Sequence, residues 1–388
     1  MKKRNLRIDV GLTSISAGYT EKQQKIKVRI DKLTLVSDLT NIKNKKTLTD
    51  KLNDLERDDY YSCKHKHNNR MHKQYHRVIS IWKRGEKAKM LRIEHEPIGS
   101  KKGCIRFELS PQHFAEGELN AMLTWLAQDS RLGTLLYTLI FQAWVTRIDY
   151  AMDIMGAKLT DYHFGLKGAA CGKMHETQDD FGGIRLGSTE SSLFLALYDK
   201  ETPDGEVILA GKQSAGLDVE VQAFSRFLRI EARYFPKGKR ALMLKSLGNI
   251  SDPLEHFIVY DRRLENDVGL DDSFRYLLNW MTLPEAMQKM SEYLQSGKKT
   301  DLRNYLDRIR RVLKKYEYQW FDKAKVWSLW PGCVEKLGIL GQMHRLQKYQ
   351  EKASVKSKAR RLTLSKSRYD IEEERCSKRV TRRKRSIS

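Results

Sequence analysis

An α+β fold with a largely antiparallel sheet is predicted from three observations. Residues 29–38, 90–96 and 103–110 alternate apolar with charged side chains, the pattern of strands with one wet face. Residues 144–154, 192–200 and 226–235 form three more strands, each with an acid or a tyrosine on one face. Residues 118–144, 284–295 and 301–321 carry apolar spacings of three and four, which predicts helices. Strands and helices interleave without a strict βαβ rhythm, so the sheet is not expected to be parallel.

Taken in order, residues 1–28 are polar and give no periodic signal. An α+β domain is expected over 29–240, with a strand at 29–38 (RIDKLTLVSD). Residues 39–75 are rich in Lys, Asn, Asp and His and read as solvent-exposed and mobile. Strands follow at MLRIEHE and GCIRFELS, then helices at ELNAMLTWLAQ and LGTLLYTLIFQAW. WVTRIDYAMDI is the next strand, followed by a helix near 160–170 and the glycine-punctuated DFGGIRLGS. SLFLALYDK leads into a Gly-rich connection (201–217), and RFLRIEARYF closes the sheet. A helical accessory region is expected over 241–350. Within it DLRNYLDRIRRVLKKYEYQWF places Leu302, Leu306, Ile309, Leu313 and Tyr316 on one side, and Arg308, Arg311, Lys314 and Lys315 on the other. Trp320, Trp327 and Trp330 read first as core of a small helical domain, with stacking on single-stranded bases as the alternative. Residues 351–388 form a basic tail ending RVTRRKRSIS; from 352 on it holds 14 Lys+Arg against 4 Asp+Glu, a disordered, phosphate-seeking composition.

The chain has 388 residues, long enough for two cores, and a formal net charge of +24. Such a surplus speaks of partners rather than fold, and nucleic acid is the expected one. No apolar run reaches the roughly 18–20 residues that span a bilayer, so a membrane is not expected. The N-terminal MKKRNLRIDVGLTS lacks the apolar stretch of a secretory signal. Five widely spaced cysteines without a CxxC pair argue against a disulfide framework and a zinc ribbon, and a reducing cytoplasm is expected. There is no GxxxxGK[ST] loop, no Gly-x-Ser-x-Gly and no HExxH. His65-Lys66-His67, with His72 and His76 nearby, offers adventitious metal affinity rather than a catalytic site.

The three middle strands carry the chemistry. Arg147, Asp149, Ala151 and Asp153 share one face; Ala196, Tyr198 and Lys200 share another, as do Arg229, Glu231 and Arg233. Were the strands neighbours, carboxylates, a phenol and cations would converge. Asp149 and Asp153 lie about 13 Å apart by strand rise, so Asp149 with Glu231 is the easier pair for a hard cation. The bland alternative is cross-strand salt bridging, because Arg147, Arg229 and Arg233 stand on the same faces. A phenol with a free pKa of ~10 needs a polarised phosphate and a nearby cation before it attacks.

VTRIDYAMDI, RLGSTESSLFLALYDK and RFLRIEARY, in that order and spacing, resemble the motifs of the rolling-circle replication initiators of filamentous phages and small Gram-positive plasmids. IDKLTL and IRFELSPQHF resemble that family's opening strands, so the likeness spans roughly residues 30–240. The resemblance implies a site-specific nicking and joining enzyme. Tyr198 would be the nucleophile, leaving a 5′-phosphotyrosyl link and a free 3′-hydroxyl. Asp149, Glu231 and then Asp153 would bind Mg²⁺ or Mn²⁺, and Arg147 and Lys200 would contact phosphate. Arg229, Arg233, Arg308, Arg311, Lys314, Lys315, Arg382 and Arg383 are expected to bind DNA, double- or single-stranded, at an origin. A host helicase and polymerase are the implied further partners. Two departures stand out: Arg185 lies where the turn motif often has an aromatic, and Ala196 replaces an arginine two places before Tyr198. The rivals are a conjugative relaxase with the same chemistry and a non-catalytic DNA-binding regulator, toward which Ala196 is the hint. A tyrosine recombinase is disfavoured, since no His-x-x-Arg stands near a C-terminal tyrosine.

Overall fold

Fifteen strands and eight α-helices make up the described part of the computed structural model, which covers residues 14–56, 59–68, 74–85, 89–99, 103–114, 117–176, 181–201, 208–210, 222–224, 226–294 and 299–342. The strands are β1 (Ile15–Tyr19), β2 (Lys25–Ser37), β3 (Tyr61–His67), β4 (Tyr75–Lys83), β5 (Lys89–Pro97), β6 (Ile105–Leu109), β7 (Trp144–Met155), β8 (Tyr162–Leu166), β9 (Gly172–Glu176), β10 (Phe181–Leu186), β11 (Leu193–Glu201), β12 (Ile208–Ala210), β13 (Gln222–Phe224), β14 (Arg226–Tyr234) and β15 (Phe257–Asp261). The helices are α1 (Ile42–Asn53), α2 (Glu118–Leu126), α3 (Leu135–Phe141), α4 (Asp272–Trp280), α5 (Leu283–Leu294), α6 (Lys299–Lys315), α7 (Lys323–Trp327) and α8 (Trp330–Glu335). Eleven strands join one antiparallel sheet in the order β3-β4-β5-β6-β2-β7-β14-β11-β10-β9, with β1 pairing β2. The expected α+β class with a largely antiparallel sheet is what the chain adopts.

Alternation along the strands gives the sheet two unlike faces. On one, Ile26, Val28, Ile30, Leu33, Leu35, Ile148, Met152, Ile154, Leu195, Leu197, Leu228 and Ile230 are buried in a single large core. The other carries Arg, Lys, Asp and Glu side chains. The long strands β2 and β7 pair along most of their length and hold these faces in register. A bulge at Asp31 interrupts that ladder and turns both Asp31 and Lys32 toward the polar face, where they bond Arg229 and Glu108.

Several boundaries differ from the sequence expectation. Residues 39–75, read as exposed and mobile, contain α1 and β3; α1 starts at the Asn41 cap and buries only Leu48 and Leu52, too sparse a stripe to register as a helix. The segment near 160–170, expected to be helical, is a short 3-10 turn followed by β8, which pairs with β15. DFGGIRLGS contributes β10, and the sheet continues through β9 to its edge. The N-terminal segment assigned to 1–28 already contains β1 and the start of β2.

The expected division near residue 240 is not where the cores part. Leu244, Leu247, Leu254, Phe257, Trp320, Val326, Trp330 and Leu340 belong to the large core, while a second cluster spans Tyr260 to Leu313 around Phe274, Leu278, Ala286 and Ile309. The chain leaves the sheet, builds the α4–α6 unit, and returns. Trp320 and Trp330 are each 1% exposed, so they are core and not base-stacking platforms. Trp330 donates its indole N–H to Leu247 O at 2.9 Å, and Trp327 and Trp330 both meet Tyr150 edge-on. Trp330→Ala is expected to destabilise the fold by about 3–5 kcal/mol; a urea midpoint unchanged from wild type would sink that assignment.

Candidate active site on the polar face of the sheet

Three neighbouring strands bring the predicted residues together. In the β11–β14 ladder Tyr198 faces Arg229 and Ala196 faces Glu231; in the β14–β7 ladder Arg229 faces Asp153 and Arg233 faces Asp149. All share the polar face. Tyr198 Oη donates a hydrogen bond to Glu231 Oε1. The other Glu231 oxygen accepts from Arg233 at 3.0 and 2.7 Å. Asp149 accepts a two-pronged pair from Arg147, at 2.8 and 2.6 Å. Arg147 and Arg233 also lie over Phe235 and Phe194, two rings stacked on each other, which hold the guanidiniums in place.

Beneath this layer lies a buried ionic chain. Asp153 accepts from Arg229 at 2.6 and 2.8 Å and from Arg29 at 2.6 Å, and Arg229 continues to Asp31 at 2.8 Å. The side chains of Arg29, Asp153 and Arg229 are 0% exposed. Burial alone would raise the pKa of Asp153, but the Arg229 and Arg29 guanidiniums hold it at about 2. Arg229, expected to contact DNA, is a buried counter-ion, and Asp153, expected as a third metal ligand, has its oxygens committed to arginine. Sequence spacing showed these residues on one face but not which carboxylate each cation would reach.

Titration behaviour follows from the same burial. Asp149 is raised above the usual carboxylate range by desolvation and by nearby Glu231, against the pull of Arg147. Tyr198 is raised well above its ordinary value by burial and by Glu231. Lys200 is lowered to about 8, mainly by burial and then by Arg229. Unfolded Lys200 holds its proton up to about 10.4, so between about pH 8 and 10 the unfolded state binds more protons and this group's contribution to stability rises with pH. Urea unfolding of wild type and Lys200→Met at pH 7 and 9 checks this. The gain in stability on going to pH 9 should be larger in wild type; identical pH dependence in the two proteins would refute it.

The resemblance implies a divalent ion at Asp149, Glu231 and Asp153, and the residues present do not fit one as they stand. Each of the three carboxylates is engaged by a guanidinium. Around them Asp31, Asp149, Asp153 and Glu231 are matched by Arg29, Arg147, Arg229, Arg233 and Lys200, so the cluster carries no excess negative charge to attract Mg²⁺. Among the described residues no group of three or more His, Cys, Asp or Glu could hold a metal ion.

Comparisons with known proteins add the following. No family model matches the chain, and no curated protein gives a significant match. Among solved structures the chain is similar to the rolling circle replication initiator protein from Geobacillus stearothermophilus, at 14% identity and a TM-score of 0.32, over 74% of this chain and 97% of that one. A likeness this distant carries no argument about chemistry.

The remaining predicted contacts lie elsewhere. On α6, Arg308 reaches Asp271 at 3.4 Å and Lys315 reaches Asp267 at 2.8 Å, so both tie the helix to the loop before α4. Arg311 bonds its own helix at Asp307 O, and Lys314 is exposed. Arg382 and Arg383 lie outside the described residues. His65 bonds Leu55 O and His67 stacks on His76, while His72 lies outside the described residues. No helix among the described residues is long and apolar enough to cross a membrane.

Proposed function

We propose that this protein is a tyrosine-dependent DNA nicking and joining enzyme of the rolling-circle initiation kind. The observation that carries the reading is the Tyr198–Glu231 hydrogen bond, set among basic side chains on neighbouring strands. A phenol held against a carboxylate has an acceptor for its proton at the moment of attack. In the proposed step Glu231 takes the proton from Tyr198 Oη, the Oη–phosphorus bond forms, and the phosphorus–O3′ bond breaks. The departing O3′ takes the proton back from Glu231 and becomes a free 3′-hydroxyl. The 5′ side of the strand stays covalently bound through phosphotyrosine, which keeps the bond energy for rejoining. Arg233, about a third exposed, shares Glu231 with the tyrosine, and Arg147, about a quarter exposed, lies one carboxylate further along at Asp149; both would stabilise charge on the phosphate oxygens. The net charge of +24 would supply sequence-independent affinity that falls steeply with salt.

The test incubates the protein with supercoiled and single-stranded DNA of its own element's origin, with Mn²⁺ in one arm and EDTA in the other, and looks for covalent adducts on a denaturing gel. An adduct is the expected result. Tight origin binding without any adduct in either arm would replace this reading with that of a non-catalytic DNA-binding regulator, for which the alanine at 196 is the one sequence hint.

A further inference from the structure

The cations around Tyr198 divide into two kinds. Arg29, Arg147, Arg229 and Arg233 are all paired with carboxylates on β7, β14 and β2. On the other side of Tyr198 the sheet continues through β10 and β9, and there the pattern changes. Arg185 of β10 lies directly opposite Ala196 and next to Lys173 of β9. By the same ladder, Gly183 stands beside Tyr198 and opposite His175. Lys173, His175 and Arg185 therefore share the face of the tyrosine. Among the described residues none of the three has an ion pair, and Arg185 Nε is buried without a hydrogen-bond partner.

Small residues keep the space beside the phenol open. Gly183 adopts φ +146°, and a Cβ there would stand 3.0 Å from Tyr198 Cβ and 2.7 Å from Leu197 O. The ladder between β9 and β10 is irregular at the same point, between Phe181 and Gly183. Ala196 contributes only a methyl between Arg185 and Glu231. The floor beside the nucleophile is thus low on its β10 side and bordered by cations that no acid among the described residues neutralises.

The geometry points to Arg185, with Lys173 beside it, as the phosphate clamp of the site: the strand that Tyr198 attacks lies over β10 and β9, seated on Gly183 and Ala196. This rests on the nicking reading for its catalytic consequence. The acid-paired arginines lie beneath and beside the nucleophile, where their charge is already matched. Arg147 and Arg233 still offer N–H groups to a phosphate, but Arg185, Lys173 and Lys200 are the cations here with no ion pair among the described residues, and Arg185 and Lys173 line the β10–β9 side. It also accounts for the alanine at 196: the β10–β11 register sets Arg185 across the ladder from that position, its Cβ about 5 Å away.

The experiment measures two quantities on wild type, Arg185→Gln, Lys173→Gln and the swap Arg185→Ala/Ala196→Arg. One is the salt dependence of binding to a fluorescein-labelled single strand of arbitrary sequence. The other is the rate of adduct formation on origin DNA. Arg185→Gln and Lys173→Gln should each lower the salt slope by about 0.7, the value for one phosphate contact on a single strand. Arg185→Gln should also slow adduct formation by roughly 10²-fold, and the swap should restore slope and rate toward wild type. A merely structural arginine would lower the melting temperature without changing the salt slope. Unchanged slopes in both single variants would overturn the clamp. Should wild type form no adduct at all, the nicking reading fails, yet the salt slopes still decide whether β9–β10 binds phosphate. If Arg185→Gln does not fold, the exposed Lys173 carries the slope measurement alone.

Discussion

Tyr198→Phe is expected to abolish covalent adduct formation while leaving the protein folded and able to bind DNA. Only the hydroxyl is removed, and its one partner, Glu231, keeps two bonds to Arg233. The ring itself still packs in the strand. Loss of the nucleophile removes the reaction rather than slowing it, so the effect should exceed any positioning variant, by more than about 10³-fold. A denaturing gel with radiolabelled origin strands reads the adduct, and anisotropy on the same strands reads binding. Adduct at wild-type levels in Tyr198→Phe would show that another residue attacks. Loss of binding together with adduct would mean that the phenol holds the site's shape instead.

Asp153→Asn should be the most destabilising single-atom change in the sheet, at about 3–5 kcal/mol. The carboxylate sits between Arg29 and Arg229, all three side chains fully buried, and no water can replace the lost charge. Asn keeps the shape but leaves two guanidiniums facing one carbonyl and an amide donor. Arg29 already has Nε and Nη1 without partners, which makes its remaining bond to Asp153 the more valuable. Urea unfolding at pH 7 gives the number. Acid tells the same story: with a folded pKa of about 2 against about 3.9 unfolded, Asp153 contributes stability at neutral pH that is lost as pH falls through that interval. If Asp153→Asn unfolds at the wild-type midpoint but loses Mn²⁺ binding, the residue is a metal ligand and the structural assignment is wrong.

Much of the architecture was legible because period-2 and period-3.6 patterns are local properties. β2, β5, β6, β7, β11, β14, α5 and α6 lie close to the segments named from the sequence. Of the strands not expected from the sequence, β4 (YHRVISIWK) carries a clear β-branched and aromatic run and was legible, whereas others have weak local signals or need a distant partner. β3 is YSCKHKH, an edge strand with mostly polar residues, and β8 and β15 make sense only as partners of each other. Helical spacing over 301–321 ran past the real end of α6 because Tyr316 to Phe321 turn away to meet β15, a contact distant in sequence.

For the site, the sequence by itself determined which residues can share a face: Tyr198 with Lys200, Asp149 with Asp153, Glu231 with Arg229 and Arg233. Strand alternation fixes that much without any knowledge of neighbours. Strand order, register and depth were decided only by the tertiary structure. They place Glu231 against Tyr198, sink Asp153 and Arg229 out of reach of DNA and metal, and set Arg185 opposite Ala196. Whether a charged side chain is a ligand or a counter-ion depends on what lies across the ladder and how much water remains there, and both are properties of residues tens to hundreds of positions away.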